Sequence, residues 1–138
     1  MPSAPPRFAP GSTFSLTKGP VTTVQLVMYA GASGDFNRIH YDLPFAQEAG
    51  LGGVIAHGML TMGFAAQLLT DWGGAGSFVQ AIDARFLSPV RPGDTVFLEG
   101  VVKSVAEQDG RRCAAVDFSG SVAERQVIAG SGIVALRD

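Results

Sequence analysis

The stretch YAGASGDFNRIHYD, residues 29–42, gathers Ser33, Gly34, Asp35, Asn37, His40 and Asp42 in a chain that has only two histidines. A carboxylate and an imidazole that converge on a water molecule make an acid/base pair, one taking a proton while the other gives one. Regular structure keeps Asp35 and His40 apart. At about 100° per residue, side chains five apart on a helix point about 140° away from each other, and on a strand they fall on opposite faces. A loop removes the obstacle: Gly34 permits positive φ, and Asn37 tolerates left-handed conformations and bonds to nearby backbone. Plainer readings of the same residues are an Asx turn for Asp35 and a hydrogen-bonded structural group for His40. Asp42 reads as a helix cap rather than a reacting group. His57, which precedes an apolar run, has a plain reading too, with its ring tied to a backbone carbonyl. Asp35, His40 and His57 offer three metal ligands, but there is no His-x-x-x-His or paired-Cys spacing, and no metal is expected.

The elements that must position this loop follow from patterning. Thr22 and Gln25 form a capping box ahead of Val24, Val27 and Met28 at helical spacing, so a short helix leads into the loop. Asp42 caps a second short helix through Pro44, Phe45 and Ala46, which Gly50 ends. The run HGMLTMGFAAQLLTDW from His57 is apolar almost all round. A helix of that kind is buried, and this one is too short to span a bilayer. Four stretches, 77–87, 95–106, 112–121 and 126–137, are rich in Val, Ile, Phe and Ala and partly alternate, as strands do; residues 13–16 read as a first strand. In FVQAIDARFL, Phe78, Ile82, Ala84 and Phe86 are expected on one face, with Asp83 and Arg85 on the other. The architecture that follows is α+β: one antiparallel sheet curled round one long buried central helix.

Composition narrows the function classes. The 138 residues read as a single domain over 1–138, with the proline-rich residues 1–11 as a flexible N-terminal arm. Hydrophobic residues make up 46% and charged residues 16%, a lean surface that implies apolar area covered by a partner chain. A net charge of -2 and the lack of a basic stripe argue against nucleic acid. The opening MPSAPPRFAPGS has no apolar core of a secretory signal, so a cytoplasmic location without membrane attachment is expected. Cys113 is the single cysteine, which leaves no disulfide framework. Arg7, Arg38, Arg91, Lys103, Arg111 and Arg112 could each meet a phosphate, although exposed cations are usually solvated surface.

Read as Tyr-x-x-x-Ser-Gly-Asp-x-Asn-x-Ile-His-x-Asp, residues 29–42 resemble the signature of the MaoC-like, (R)-specific enoyl-CoA hydratase family. AHGML at 56–60 resembles its second landmark, and RFLSPVRPGDTV at 85–96 its strand and turn after the central helix. The pattern is especially similar to the catalytic subunits of mycobacterial-type (3R)-hydroxyacyl-ACP dehydratases. This resemblance implies a hotdog fold, with Asp35 and His40 as a catalytic dyad gripping the water that adds to the β-carbon of a trans-2-enoyl thioester. Gly58 would offer its backbone N–H to the thioester oxygen, a role that also suits the free N–H groups and dipole at a helix N-terminus. Ser33, Gly34, Asn37 and His57 would support the site, and acyl chain length would depend on tunnel side chains such as Met59, Met62, Phe64, Phe78 and Phe86.

The implied reaction is reversible hydration of acyl-CoA thioesters to (3R)-3-hydroxyacyl thioesters by a hydro-lyase without cofactor or metal, as a homodimer. The alternative is the catalytic subunit of a heterodimeric acyl-ACP dehydratase in fatty-acid elongation; a non-catalytic acyl-thioester binding subunit and a hotdog thioesterase stand further off. Two positions depart from the family pattern. Arg38 replaces a common proline, placing a cation next to the dyad or outward toward a carrier phosphate. Ala66 stands where some hydratases have serine.

Overall fold

The computed structural model describes residues 6–137. Its elements are β1 (Thr13–Lys18), α1 (Thr23–Ser33), a 3-10 turn (Arg38–His40), α2 (Leu43–Glu48), α3 (Gly58–Gly73), β2 (Phe78–Phe86), β3 (Val96–Gln108), β4 (Arg111–Val122) and β5 (Arg125–Ala135). Both expected caps are made: Thr22 Oγ1 accepts the Gln25 N–H at 3.1 Å, and Asp42 Oδ1 accepts the Phe45 N–H at 3.2 Å. Each satisfies a donor that the first helical turn leaves without a partner.

The five strands form one sheet in the order β1-β3-β4-β5-β2, every neighbouring pair antiparallel. Helix α3 lies on its inner face. Leu60, Phe64 and Leu68 pack with Leu98, Phe118 and Ile128 in one cluster, and Leu69 and Trp72 with Val102, Val116 and Val134 in a second. Each such side chain contributes about 1.5–3 kcal/mol on burial, so the helix is clamped to the sheet along its length. The expected single sheet round a central helix is what forms.

Three local expectations are corrected. A bulge in β2 between Val79 and Ala81 inserts one residue and reverses the alternation, so Val79 rather than Phe78 joins Ile82 on the inner face. Phe78 lies instead under the Arg111 guanidinium, 4.9 Å from its ring centroid. Helix α3 is buried on one side only: Met59 is 57% exposed and Gly63 is exposed, because one open sheet covers one side of a helix. The arm expected over residues 1–11 is anchored in its described part. Arg7 donates to the carbonyls of Asp71 and Trp72 at the end of α3, and Phe8 meets the edge of the Trp72 ring at 5.2 Å. A cation suits the unpaired carbonyls of a helix C-terminus. Residues 1–5 lie outside the described residues. No helix among the described residues is long and apolar enough to cross a membrane.

Candidate active site

Helix α1 ends where Gly34 turns left-handed at φ 76° and returns its N–H to Ala30 O at 2.9 Å. From there the loop is held by its own short side chains. Ser33 Oγ accepts the Asp35 N–H at 3.1 Å, Asp35 Oδ1 accepts the Asn37 N–H at 3.1 Å, and Asn37 Oδ1 accepts the Ile39 N–H at 3.2 Å to open the 3-10 turn. Asp35 is thus an Asx turn, and that turn occupies only one of its oxygens. The other, Oδ2, faces His40 Nε2 at 3.9 Å.

The far edge of the His40 ring decides what that facing means. His40 Nδ1 lies 2.7 Å from Ile55 O, and a carbonyl only accepts, so Nδ1 carries a hydrogen, and in that Nδ1–H tautomer Nε2 presents a lone pair. Asp35 Oδ2 and His40 Nε2 are therefore two acceptors facing across a gap that suits a donor between them. Water, with two O–H groups, is such a donor.

His57 forms the floor. It is 2% exposed, its ring stacks on His40 at 3.7 Å and 22°, and Tyr29 meets it edge-on at 4.8 Å. Its Nε2–H donates to Asp35 O at 3.1 Å, the tie to a backbone carbonyl expected for this residue. Among the described residues His57 Nδ1 is buried without a partner, a cost of about 1–3 kcal/mol carried where the opposite edge of the ring pins the loop. Asp35, His40 and His57 place one donor atom each within 4.8 Å of one another.

Gly58 opens α3. The first of its N–H groups to bond within the helix are those of Leu60 and Thr61, both to His57 O, so the Gly58 N–H has no acceptor among the described residues. A cleft of about 440 Å³ is lined by His40, Gly58, Thr61, Phe86, Leu87 and Val127, among others. A Cβ on Gly58 would stand 3.1 Å from the Phe86 ring, so a side chain there would crowd that cleft. A larger hollow of about 560 Å³ lies on the outer sheet face around Asp83, Glu99 and Asp117 and carries no imidazole and no helix end.

The tunnel residues separate. Phe86 lines the cleft, whereas Phe64 is core, Met62 packs against that core, Met59 is exposed and Phe78 sits at the other end of β2. Thr61 was not among the site residues named from sequence. It is 4% exposed, lines the cleft, and its hydroxyl has no hydrogen-bond partner among the described residues. Its signal was a polar residue on an apolar run, three after Gly58 and so on the same helix face.

Arg38 turns away from Asp35 and His40 and is engaged by its own loop, although its side chain is 57% exposed. Its guanidinium holds Asp42 Oδ2 at 2.8 Å and lies over the Phe45 ring at 4.4 Å. The hydrogen bond from Arg38, with the Phe45 N–H second, keeps the Asp42 carboxyl below its ordinary value of 3.8.

A long central helix packed on an antiparallel sheet of this order is a hotdog domain. The sequence pattern of the MaoC like domain matches residues 7–124, and the chain belongs to that family. The 3-hydroxybutyryl-CoA dehydratase of Methylorubrum extorquens is 31% identical over 120 residues, covering 86% of this chain and 75% of that protein. The solved (R)-hydratase from A. caviae involved in PHA biosynthesis has a TM-score of 0.81 at 27% identity, over 94% of this chain and 97% of that one. The ChsH1-ChsH2 complex from Mycobacterium tuberculosis has a TM-score of 0.84 at 22% identity, over 94% and 98%, a likeness of fold. The chain spans 22%, 6% and 60% of the length of the first curated relatives that it matches.

Proposed function

We propose that the protein reversibly hydrates trans-2-enoyl thioesters to (3R)-3-hydroxyacyl thioesters. The observation that carries this reading is that His40 and the acceptor-free Gly58 N–H line one cleft while Asp35 Oδ2 stands 3.9 Å from His40 Nε2. Water bound between the two acceptors turns its oxygen toward the β-carbon. As the C–O bond forms, one of the dyad takes a proton from the water and the electron pair of the double bond moves toward the thioester oxygen. The Gly58 N–H and the dipole of α3 stabilise that oxyanion by about 3 kcal/mol. The dyad then returns a proton to the α-carbon from the same face, so water is added whole and no external acid is consumed.

Loss of the enoyl-thioester ultraviolet absorbance of crotonyl-CoA tests the reading. Wild type consumes the chromophore, and Asp35→Asn and His40→Ala each lower kcat by about 10²- to 10⁴-fold with unchanged circular dichroism. A dyad variant with wild-type turnover would sink the assignment.

A second reading makes this chain the catalytic member of a two-chain dehydratase acting on acyl carrier protein. What favours it is the apolar surface that one chain leaves uncovered: Val24, Met28 and Met59 are 65%, 69% and 57% exposed, and β2 is a sheet edge flanked by exposed Phe86 and Leu87. A second copy or a second hotdog chain would cover these. Activity of the purified chain alone decides between the two.

A further inference from the structure

We infer that Arg91 is the phosphate-binding residue of the carrier arm, seated in a second cleft that meets the dyad at His40. This rests on the thioester reading above and adds the part of the substrate that is held.

Six cations stood out in the sequence as able to meet a phosphate. Five are engaged in the fold. Arg7 holds the end of α3, Arg38 holds Asp42, Lys103 lies 3.8 Å from Asp117, Arg111 donates to the carbonyls of Leu136 and Gly76, and Arg112 is engaged as well. The Arg91 guanidinium alone of the six has no hydrogen bond or ion pair among the described residues, although the residue is half-buried.

Its position is nevertheless fixed. Asp94 Oδ2 accepts the Arg91 N–H at 2.9 Å, Arg91 O accepts the Asp94 N–H at 3.0 Å, and Gly93 and Asp94 are tied to Val21 by two backbone bonds. The guanidinium lies against Gly53, where a Cβ would stand 3.8 Å from one of its terminal nitrogens. A half-buried arginine on a fixed turn, its guanidinium without a partner among the described residues, is matched by an anion that arrives with a ligand, and its planar fork suits phosphate.

The cleft itself says which phosphate. It encloses about 460 Å³ between Val27, Leu43, Val54, Gly53 and Arg91, and His40 forms part of its wall. His40 therefore borders two clefts, one with Gly58 and no permanent charge, the other with Arg91 as its one permanent charge. A thioester reacting beside His40 needs two exits, for the acyl chain and for the carrier. The 4′-phosphopantetheine arm, an amide chain with a dimethyl group that ends in phosphate, fits the second cleft. Coenzyme A and acyl carrier protein both supply it.

Calorimetry with 4′-phosphopantetheine and pantetheine tests the assignment without turnover. Wild type binds the phosphorylated arm about tenfold or more tightly, and Arg91→Ala loses that preference while Arg91→Lys keeps part of it. Equal binding of the two arms by wild type, or a preference intact in Arg91→Ala with its wild-type melting temperature, overturns the inference. With crotonyl thioesters, the kcat/KM ratio of CoA over pantetheine, and of acyl carrier protein over pantetheine, should each fall in Arg91→Ala. A fall in only one ratio names the physiological carrier, and a fall in neither overturns the inference. Absence of any hydration by wild type would count against the hydratase reading and leave the calorimetry to judge Arg91.

Discussion

Asp35 keeps one carboxylate oxygen on the Asn37 N–H and turns the other to His40, while His40 is held from behind by the carbonyl of Ile55. Each side chain is therefore oriented by a backbone group outside the gap between them. Thr61 differs, since its hydroxyl faces the cleft with no partner of its own. Replacing it by isosteric valine removes no internal hydrogen bond, so Thr61→Val should melt at or above the wild-type temperature. If the hydroxyl bonds the bound thioester, kcat/KM falls about tenfold in Thr61→Val and returns in Thr61→Ser. A lowered melting temperature with unchanged kinetics would mark Thr61 as a structural residue instead. That a loop could bring Asp35 and His40 face to face was legible in their types and spacing. The tautomer of His40 was not, because Ile55 is fifteen residues away and only folding brings its carbonyl to the ring.

At the scale of elements, the 3-10 turn and α2 form one clamp on the loop, closed by Arg38 and Asp42. Arg38 in place of a proline gives up a fixed φ and gains this ion pair, which explains how the loop keeps its shape. Asp42 has a folded value below its ordinary 3.8, so its contribution to stability is complete above that value and is lost as pH falls through the folded one. The stability gap between wild type and Asp42→Asn should hold steady from neutral pH to about pH 5 and close in stronger acid, as read from urea unfolding at each pH. A gap that widens on acidification would contradict the sign. The pair is exposed, so salt should shrink the gap as well. Capping residues were legible here because a cap acts within four residues of its own chain. The bulge that turns Phe78 outward was not, since it depends on which residue of β5 each residue of β2 meets.

For the whole molecule, the exposed side of α3, the apolar face of α1 and the free edge of β2 define surface that a single chain does not bury. Sedimentation at micromolar concentration should return the mass of at least two chains, or of one chain that becomes two on meeting a second hotdog partner. A monomer, active alone and indifferent to partners, would leave this apolar surface unexplained. The low proportion of charged residues already pointed to covered surface. Where that surface lies followed from the sheet, which wraps only one side of the helix.

By itself the sequence determined the element order, both helix caps, the central helix and the residue types of the loop that carries Asp35 and His40. These depend on periodicity, local hydrogen bonding and composition, all of which act over a few residues. The tertiary structure decided which atoms of Asp35 and His40 face each other, which of six cations keeps a side chain without a partner among the described residues, that Thr61 lines the cleft, and that Phe78 does not. Those outcomes depend on contacts between residues far apart in the chain, and a side chain's partners there are set by packing rather than by spacing.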